Sequence, residues 1–256
     1  MLARNFRPGN PQVAVGDPIT PTNGVDPTQP QTLLQQPSPP VMVDLLKRWG
    51  DTRKAARVLL VIDVSGSMGD KVDANNTKLD LAQQAAADSL DQFRDDDLVG
   101  LRIFSTHLGP SDNEEYLDVE PIGPIGSNRE KVRTDIRNLE PVAGTPLYDV
   151  AQKSVQAMSD TFDDRRINAV VLLTDGRNED DNSSDDKKQL NDLVTTLQNQ
   201  AKGEGGKPVR LFTIGYGRDA DAVVLQEMAD AASGAYYNAG DPTTINKIFT
   251  QVISNF

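Results

Sequence analysis

The sequence predicts an α/β fold: a doubly wound, mostly parallel sheet with helices on both faces and a short antiparallel edge strand. Three observations predict it. Apolar runs of strand length recur along the chain, beginning with VLLVID at 58–63. Between them lie segments whose apolar residues repeat every three or four positions, the mark of helices resting on a sheet. The two kinds alternate from residue 58 onward, and such alternation gives parallel strands joined by right-handed crossovers.

Strands are expected at 58–63, 98–104, 116–119, 167–174, 209–215 and 235–238. Helices are expected at about 77–93, 128–139, 147–160, 187–200, 220–231 and 243–254. The first strand is apolar at nearly every position, as burial on both faces requires. Leu79, Ala82, Ala86, Leu90 and Phe93 form the stripe of the first helix, and RDDD (94–97) is the turn that follows it. The 116–119 strand, close behind 98–104, is the antiparallel edge. In the last helix Ile245, Ile248, Phe249, Val252, Ile253 and Phe256 share a face, with Asp241-Pro242 as cap and first-turn proline.

Upstream, residues 1–41 hold nine of the 16 prolines, an extended or irregular segment without a core of its own. VMVDLLKRW (41–49) reads as a short amphipathic helix. The chain therefore divides into a Pro-rich segment at 1–41, a helix and connector at 42–55, and one domain at 56–256.

With 37% hydrophobic and 25% charged residues, the composition is that of a globular domain. The formal charge of −12 argues against nucleic acid and anionic lipid as partners. No stretch approaches the roughly 20 apolar residues that span a bilayer, so direct membrane insertion is not expected. The opening MLARNFRPGNP lacks the apolar core of a secretory signal. With no cysteine and one histidine, His107, any metal here must be held by oxygen.

Asp63 ends the first strand and is followed by Ser65 and Ser67, a D-x-S-x-S step. Open α/β sheets place their ligands at such carboxyl ends. One carboxylate with two hydroxyls is a hard oxygen set that suits Mg²⁺. Gly66 between the serines lets the backbone approach closely. Two further segments add oxygens: AGTPLYD (143–149) carries Thr145, and VVLLTDG (170–176) carries Asp175 at the end of a second apolar strand. Taken singly, Asp63 and Asp175 also fit turn or cap aspartates, the serines fit local turns, and Thr145 fits a cap for the helix after Pro146.

Together these segments resemble the von Willebrand factor A (VWA) domain and its metal-ion-dependent adhesion site, over about residues 56–256. The resemblance implies that Ser65, Ser67 and Thr145 contact a Mg²⁺ ion, with Mn²⁺ or Ca²⁺ as alternatives. It implies that Asp63 and Asp175 bind the ion directly or through water. Two aspartates balance its charge, yet Mg²⁺ seeks six oxygens, so one position stays open. In the family an acidic side chain of a partner protein fills it, a non-enzymatic mode of binding, and a shift of the last helix can accompany changes in ligation.

Other functions compete. A metal-assisted hydrolase or phosphoryl-transfer enzyme would use Asp63 as nucleophile or ligand. Phosphoaspartate enzymes of that kind carry a second acid two residues on, where Ser65 stands, and no G-x-S-x-G, P-loop or G-x-G-x-x-G occurs. The FRPGNP segment, the prolines and the helix before TRKAARVLLVIDVSGSM resemble bacterial envelope proteins in which a solute-binding-like domain precedes a VWA domain. That reading makes the chain a piece of a longer secreted or lipid-anchored assembly component. It implies a cell-envelope or extracellular location and leaves a cytoplasmic one open.

The remaining candidates are weaker. The acidic run NEDDNSSDD (178–186) reads as a solvated loop, with tuning of the site mouth or a second cation such as Ca²⁺ as alternatives. His107 reads as a rim residue in the loop after the second strand. Tyr148, Tyr216, Tyr236 and Tyr237 read mainly as core or rim packing. Arg177 stands two residues after Asp175, where it could attract an anionic partner.

Overall fold

The computed structural model describes residues 37–52, 54–111, 113–179, 185–202 and 207–255. The chain divides into two units at Arg53/Lys54. In the first, the expected helix runs Pro39–Thr52 (α1), with Pro39 and Pro40 in the first turn, where a missing N–H costs nothing. Its Val43 and Leu45 are exposed. Residues 1–36, where most of the proline-rich segment falls, lie outside the described residues.

The second unit is a six-stranded sheet: β1 (Ala56–Asp63), β2 (Leu98–Leu108), β3 (Glu114–Pro124), β4 (Ile167–Thr174), β5 (Val209–Tyr216) and β6 (Ala235–Ala239). The order is β3-β2-β1-β4-β5-β6, antiparallel only between β2 and β3. The helices are α2 (Lys78–Ser89), α3 (Ile125–Arg137), α4 (Leu147–Asp160), α5 (Asp186–Lys202), α6 (Ala222–Ala231) and α7 (Ile245–Ile253). From β1 the chain passes to β2 on one side and later to β4 on the other. The carboxyl ends of β1 and β4 therefore flank the point where the winding reverses. Ile62 pairs with Leu173, so the strand ends Asp63 and Thr174 emerge side by side.

The two-residue period of β1 sorts its apolar run between two cores. Val58, Leu60 and Ile62 join α2, α3 and α7, while Leu59 and Val61 join α4, α5 and α6. All five expected stripe residues of the first helix are buried. In α7 Ile245, Phe249, Val252 and Ile253 are buried and Ile248 partly so; Phe256 lies outside the described residues.

Several boundaries differ from the sequence reading. The first helix, expected to run to about 93, ends as an α-helix at Ser89 and passes into a 3₁₀ turn at Leu90–Gln92. The edge strand β3 is not short: it spans 11 residues and contains Pro121 and Pro124. An edge strand tolerates prolines because half of its N–H groups need no partner strand. Helix α3 starts at Ile125, not 128, since its first amides donate to Asp97 O (2.9 Å) and Asp95 O (3.2 Å) of the preceding RDDD turn. Finally, β2 runs on to Leu108, so His107 is inside the strand rather than in the following loop. It sits exposed at a register irregularity with φ of 62°.

Candidate metal centre

Three loops meet at the carboxyl ends of β1 and β4. The first follows β1 and turns through a short 3₁₀ helix, Gly66–Gly69. The second, residues 141–146, is tied to it by Gly66 N–H to Ala143 O (2.7 Å) and Val142 N–H to Val64 O (2.7 Å). Ser105 and Thr106 of β2 brace the second loop from behind. Ala143 N–H donates to Ser105 Oγ (2.9 Å) and Gly144 N–H to Thr106 Oγ1 (2.7 Å). The third loop follows β4 and pairs with the second through Glu179 N–H to Thr145 O (2.8 Å) and Thr145 N–H to Glu179 O (3.2 Å).

Ser65, Ser67, Thr145 and Asp175 line a cleft of about 350 Å³, together with Arg177, Glu179 and Asp219. Asp63, fully buried, is joined to this wall through Ser65. Ser65 Oγ lies 3.1 Å from Ser67 Oγ, which donates to Asp175 Oδ1 at 2.7 Å. Asp63 accepts from Ser65 N–H (2.7 Å) and Thr174 Oγ1 (2.5 Å). Burial pushes the Asp63 carboxyl up to about 7; the bonds from Ser65 and Thr174 oppose this and the charge of Asp175 adds to it. A buried carboxylate with neutral donors alone, beside hydroxyls and a second carboxylate, is a donor set suited to a hard divalent cation.

The geometry decides some of the alternatives. Thr145 does not cap α4, whose N-cap is Pro146 without a side-chain bond; Asn178 Oδ1 instead accepts from Tyr148 N–H at 3.2 Å. Gly66 is not needed for steric room, because a Cβ there would meet Ala143 O at an ordinary 3.7 Å. The tight glycine is Gly144, whose Cβ would lie 3.0 Å from Thr106 Oγ1 and 3.1 Å from Glu179 O. Tyr148 and Tyr216 are core residues, and Tyr236 and Tyr237 pack half-buried against the two cores. Arg177 is exposed on the cleft wall. Residues 180–184 of the acidic run lie outside the described residues. Among the described residues no three His, Cys, Asp or Glu side chains gather as a metal group.

Sequence reasoning missed Lys78. Its Nζ donates to Asp175 Oδ2 at 2.7 Å and lies 3.5 Å from Asp70 Oδ2. Burial lowers its pKa, and the bond and charge of Asp175, helped by Asp70, outweigh that and hold it above the ordinary lysine value. The available signal was a cation in the first turn of α2, where the helix dipole disfavours it.

These features define a doubly wound α/β domain with an oxygen-rich cleft at its switch point. The family model of the von Willebrand factor type A domain matches residues 58–251, and the chain belongs to that family. Such domains are commonly non-enzymatic modules of protein–protein interaction. The fold is similar to that of a von Willebrand factor type A protein from Catenulispora acidiphila, at 22% identity and a TM-score of 0.60. That match covers 78% of this chain and 42% of the other, so the chain spans less than half of that protein's length. An aerotolerance-related membrane protein from Bacteroides fragilis is similar at 16% identity and a TM-score of 0.56, covering 79% of this chain and 100% of that one. The pilus adhesin SpaC of Lactobacillus rhamnosus GG, in its open conformation, is similar at 17% identity and 0.56, covering 80% and 31%. No curated protein sequence matches the chain.

Proposed function

We propose that the chain is a non-enzymatic, divalent-cation-dependent protein-binding module. In this reading Asp63, Ser65, Ser67, Thr145 and Asp175 hold a Mg²⁺ ion, for which Mn²⁺ or Ca²⁺ could substitute. When bound, such an ion would supply the positive charge that attracts a carboxylate; the protein's part is to hold the five side-chain oxygens toward one cleft. An acidic side chain of the partner enters this cleft, a contact that is charge-assisted and orientation-specific. The observation that carries the reading is the convergence of four of these side chains on one cleft wall, with the fifth joined to it from the buried end of β1.

The fold of a pilus adhesin and that of a membrane protein lie close to this one, which favours a cell-envelope or extracellular setting. Among the described residues no helix is long and apolar enough to cross a membrane. The test is capture of partners from an envelope extract with and without EDTA. Capture should need Mg²⁺ and vanish in Asp63→Ala. A partner held equally well in EDTA would end this reading.

A further inference from the structure

We propose that Lys78 is a resident counter-cation of this site, placed to hold down its affinity for divalent ions. The proposal rests on the metal reading above and adds a regulator to it.

The two carboxylates are not equivalent. Asp63 accepts only from neutral groups, the N–H and hydroxyl of Ser65 and the Thr174 hydroxyl. Asp175 accepts the Ser67 hydroxyl on one oxygen and the Lys78 ammonium on the other, each at 2.7 Å. The Asp175 side chain is 0% exposed and that of Lys78 12%, so this pair is largely shielded from water and salt. Asp70, the other carboxylate near Lys78, is farther at 3.5 Å and 68% exposed, hence a weak competitor.

Lys78 is fixed where it stands. It opens α2 inside a capping box, in which Thr77 Oγ1 accepts from Asp80 N–H and Asp80 Oδ2 accepts from Thr77 N–H. Its carbonyl accepts the Tyr216 hydroxyl at 2.9 Å. A cation at a helix N-terminus works against the dipole. Helix stability therefore does not account for it, whereas neutralising Asp175 does.

The consequence is a matter of charge. With both aspartates ionised, as cation binding requires, the two carboxylates and the ammonium leave this innermost group with a single negative charge, so a divalent ion meets less attraction than two aspartates alone would provide. Once loaded, the site carries one net positive charge, which an acidic partner cancels.

Titration calorimetry with Mg²⁺ and Mn²⁺ alone tests this on the full chain, comparing wild type with Lys78→Met, Lys78→Gln and Lys78→Arg. The neutral variants should bind Mg²⁺ at least about tenfold more tightly, and Lys78→Arg should stay within about threefold of wild type. Thermal melting without metal gives a second readout: Lys78→Met should melt lower than wild type, and Mg²⁺ should raise its midpoint by more. Should Lys78→Met fail to fold, Lys78→Gln carries the comparison, since it keeps a donor toward Asp175. Unchanged or weaker Mg²⁺ binding in the neutral variants overturns the proposal and leaves Lys78 a tether. If wild type and every variant bind no divalent ion, the metal reading fails and takes this one with it.

Discussion

The hydroxyl of Thr174, the last residue of β4, donates to the Asp63 carboxylate at the end of β1 across 2.5 Å. Both side chains are fully buried. The parallel register that sets Ile62 against Leu173 makes this bond possible, so sheet pairing itself orients the innermost oxygen of the candidate site. Thr174→Val keeps the shape and removes the donor. It should destabilise the metal-free protein by about 1–3 kcal/mol, the usual cost of leaving a buried acceptor without its partner. Urea unfolding in EDTA measures this, and calorimetry should show weaker Mg²⁺ binding in the same variant.

The Asp63 carboxyl, pushed up to about 7 by burial, links stability to pH with a definite sign. Its folded value lies above the unfolded one of about 4, so between them the native state binds the extra proton. From this group, stability is highest below about pH 4 and declines as pH rises through 7, by a few kcal/mol at most. Magnesium needs the ionised form, so its affinity should rise from pH 5 to about 7.5 and then level off. Asp73 and Asp241, both exposed, and the half-buried Asp163 are shifted downward by local hydrogen bonds, and they act in the opposite sense at lower pH. The comparison that isolates Asp63 is therefore wild type against Asp63→Asn, unfolded in EDTA at pH 5, 6, 7 and 8. The difference in stability should shrink or reverse when Mg²⁺ is saturating.

Much of this molecule was legible in residue order because burial leaves periodic traces. The run at 58–63 read as a two-faced strand, and its alternate residues do enter separate cores. The stripes at 79–93 and 245–253 read as helices and are buried as expected. Where long-range contacts replace local signals, reading failed. Helix α3 is capped by carbonyls of Asp95 and Asp97, about 30 residues before it, which no local motif announces. The strand at 116–119 was rightly read as the antiparallel edge, but its length was not, because the pairing with β2 that carries it from Glu114 to Pro124 leaves no apolar run in the sequence. In the site, Asp63, Ser65 and Ser67 sit on one short step, and Thr145 and Asp175 joined them by resemblance. Lys78 is 97 positions from Asp175 and carries no spacing cue.

Two glycines in the loops around the site should behave differently. An added methyl at Gly144 would press on Thr106 Oγ1 at 3.0 Å and on the Glu179 carbonyl at 3.1 Å. Both contacts hold the loop that carries Thr145. Gly144→Ala should cost about 1–3 kcal/mol, the range for overpacking, and weaken Mg²⁺ binding several-fold. Gly66→Ala meets only Ala143 O and Val142 O, at 3.7 and 3.9 Å, and should change both far less. Thermal melts and calorimetry on the pair decide it; equal behaviour would remove the packing argument.

Substitution at Val142 should separate partner contact from ion binding. Its side chain is 46% exposed, its neighbour Ala143 lines the cleft, and its amide is fixed to Val64 O. If a protein that inserts a carboxylate into the cleft also covers this neighbouring side chain, an apolar contact there is worth about 1–2 kcal/mol and a like charge opposes association. Val142→Ser should therefore weaken Mg²⁺-dependent capture about tenfold, and Val142→Glu should weaken it further by repelling the acidic partner. Neither side chain belongs to the oxygen set, so Mg²⁺ affinity measured alone should move little in the serine variant. The informative pattern is a loss of capture without a loss of ion binding. If both variants capture the partner as wild type does, the partner leaves Val142 uncovered, and the apolar contact argued here fails even with a bound ion.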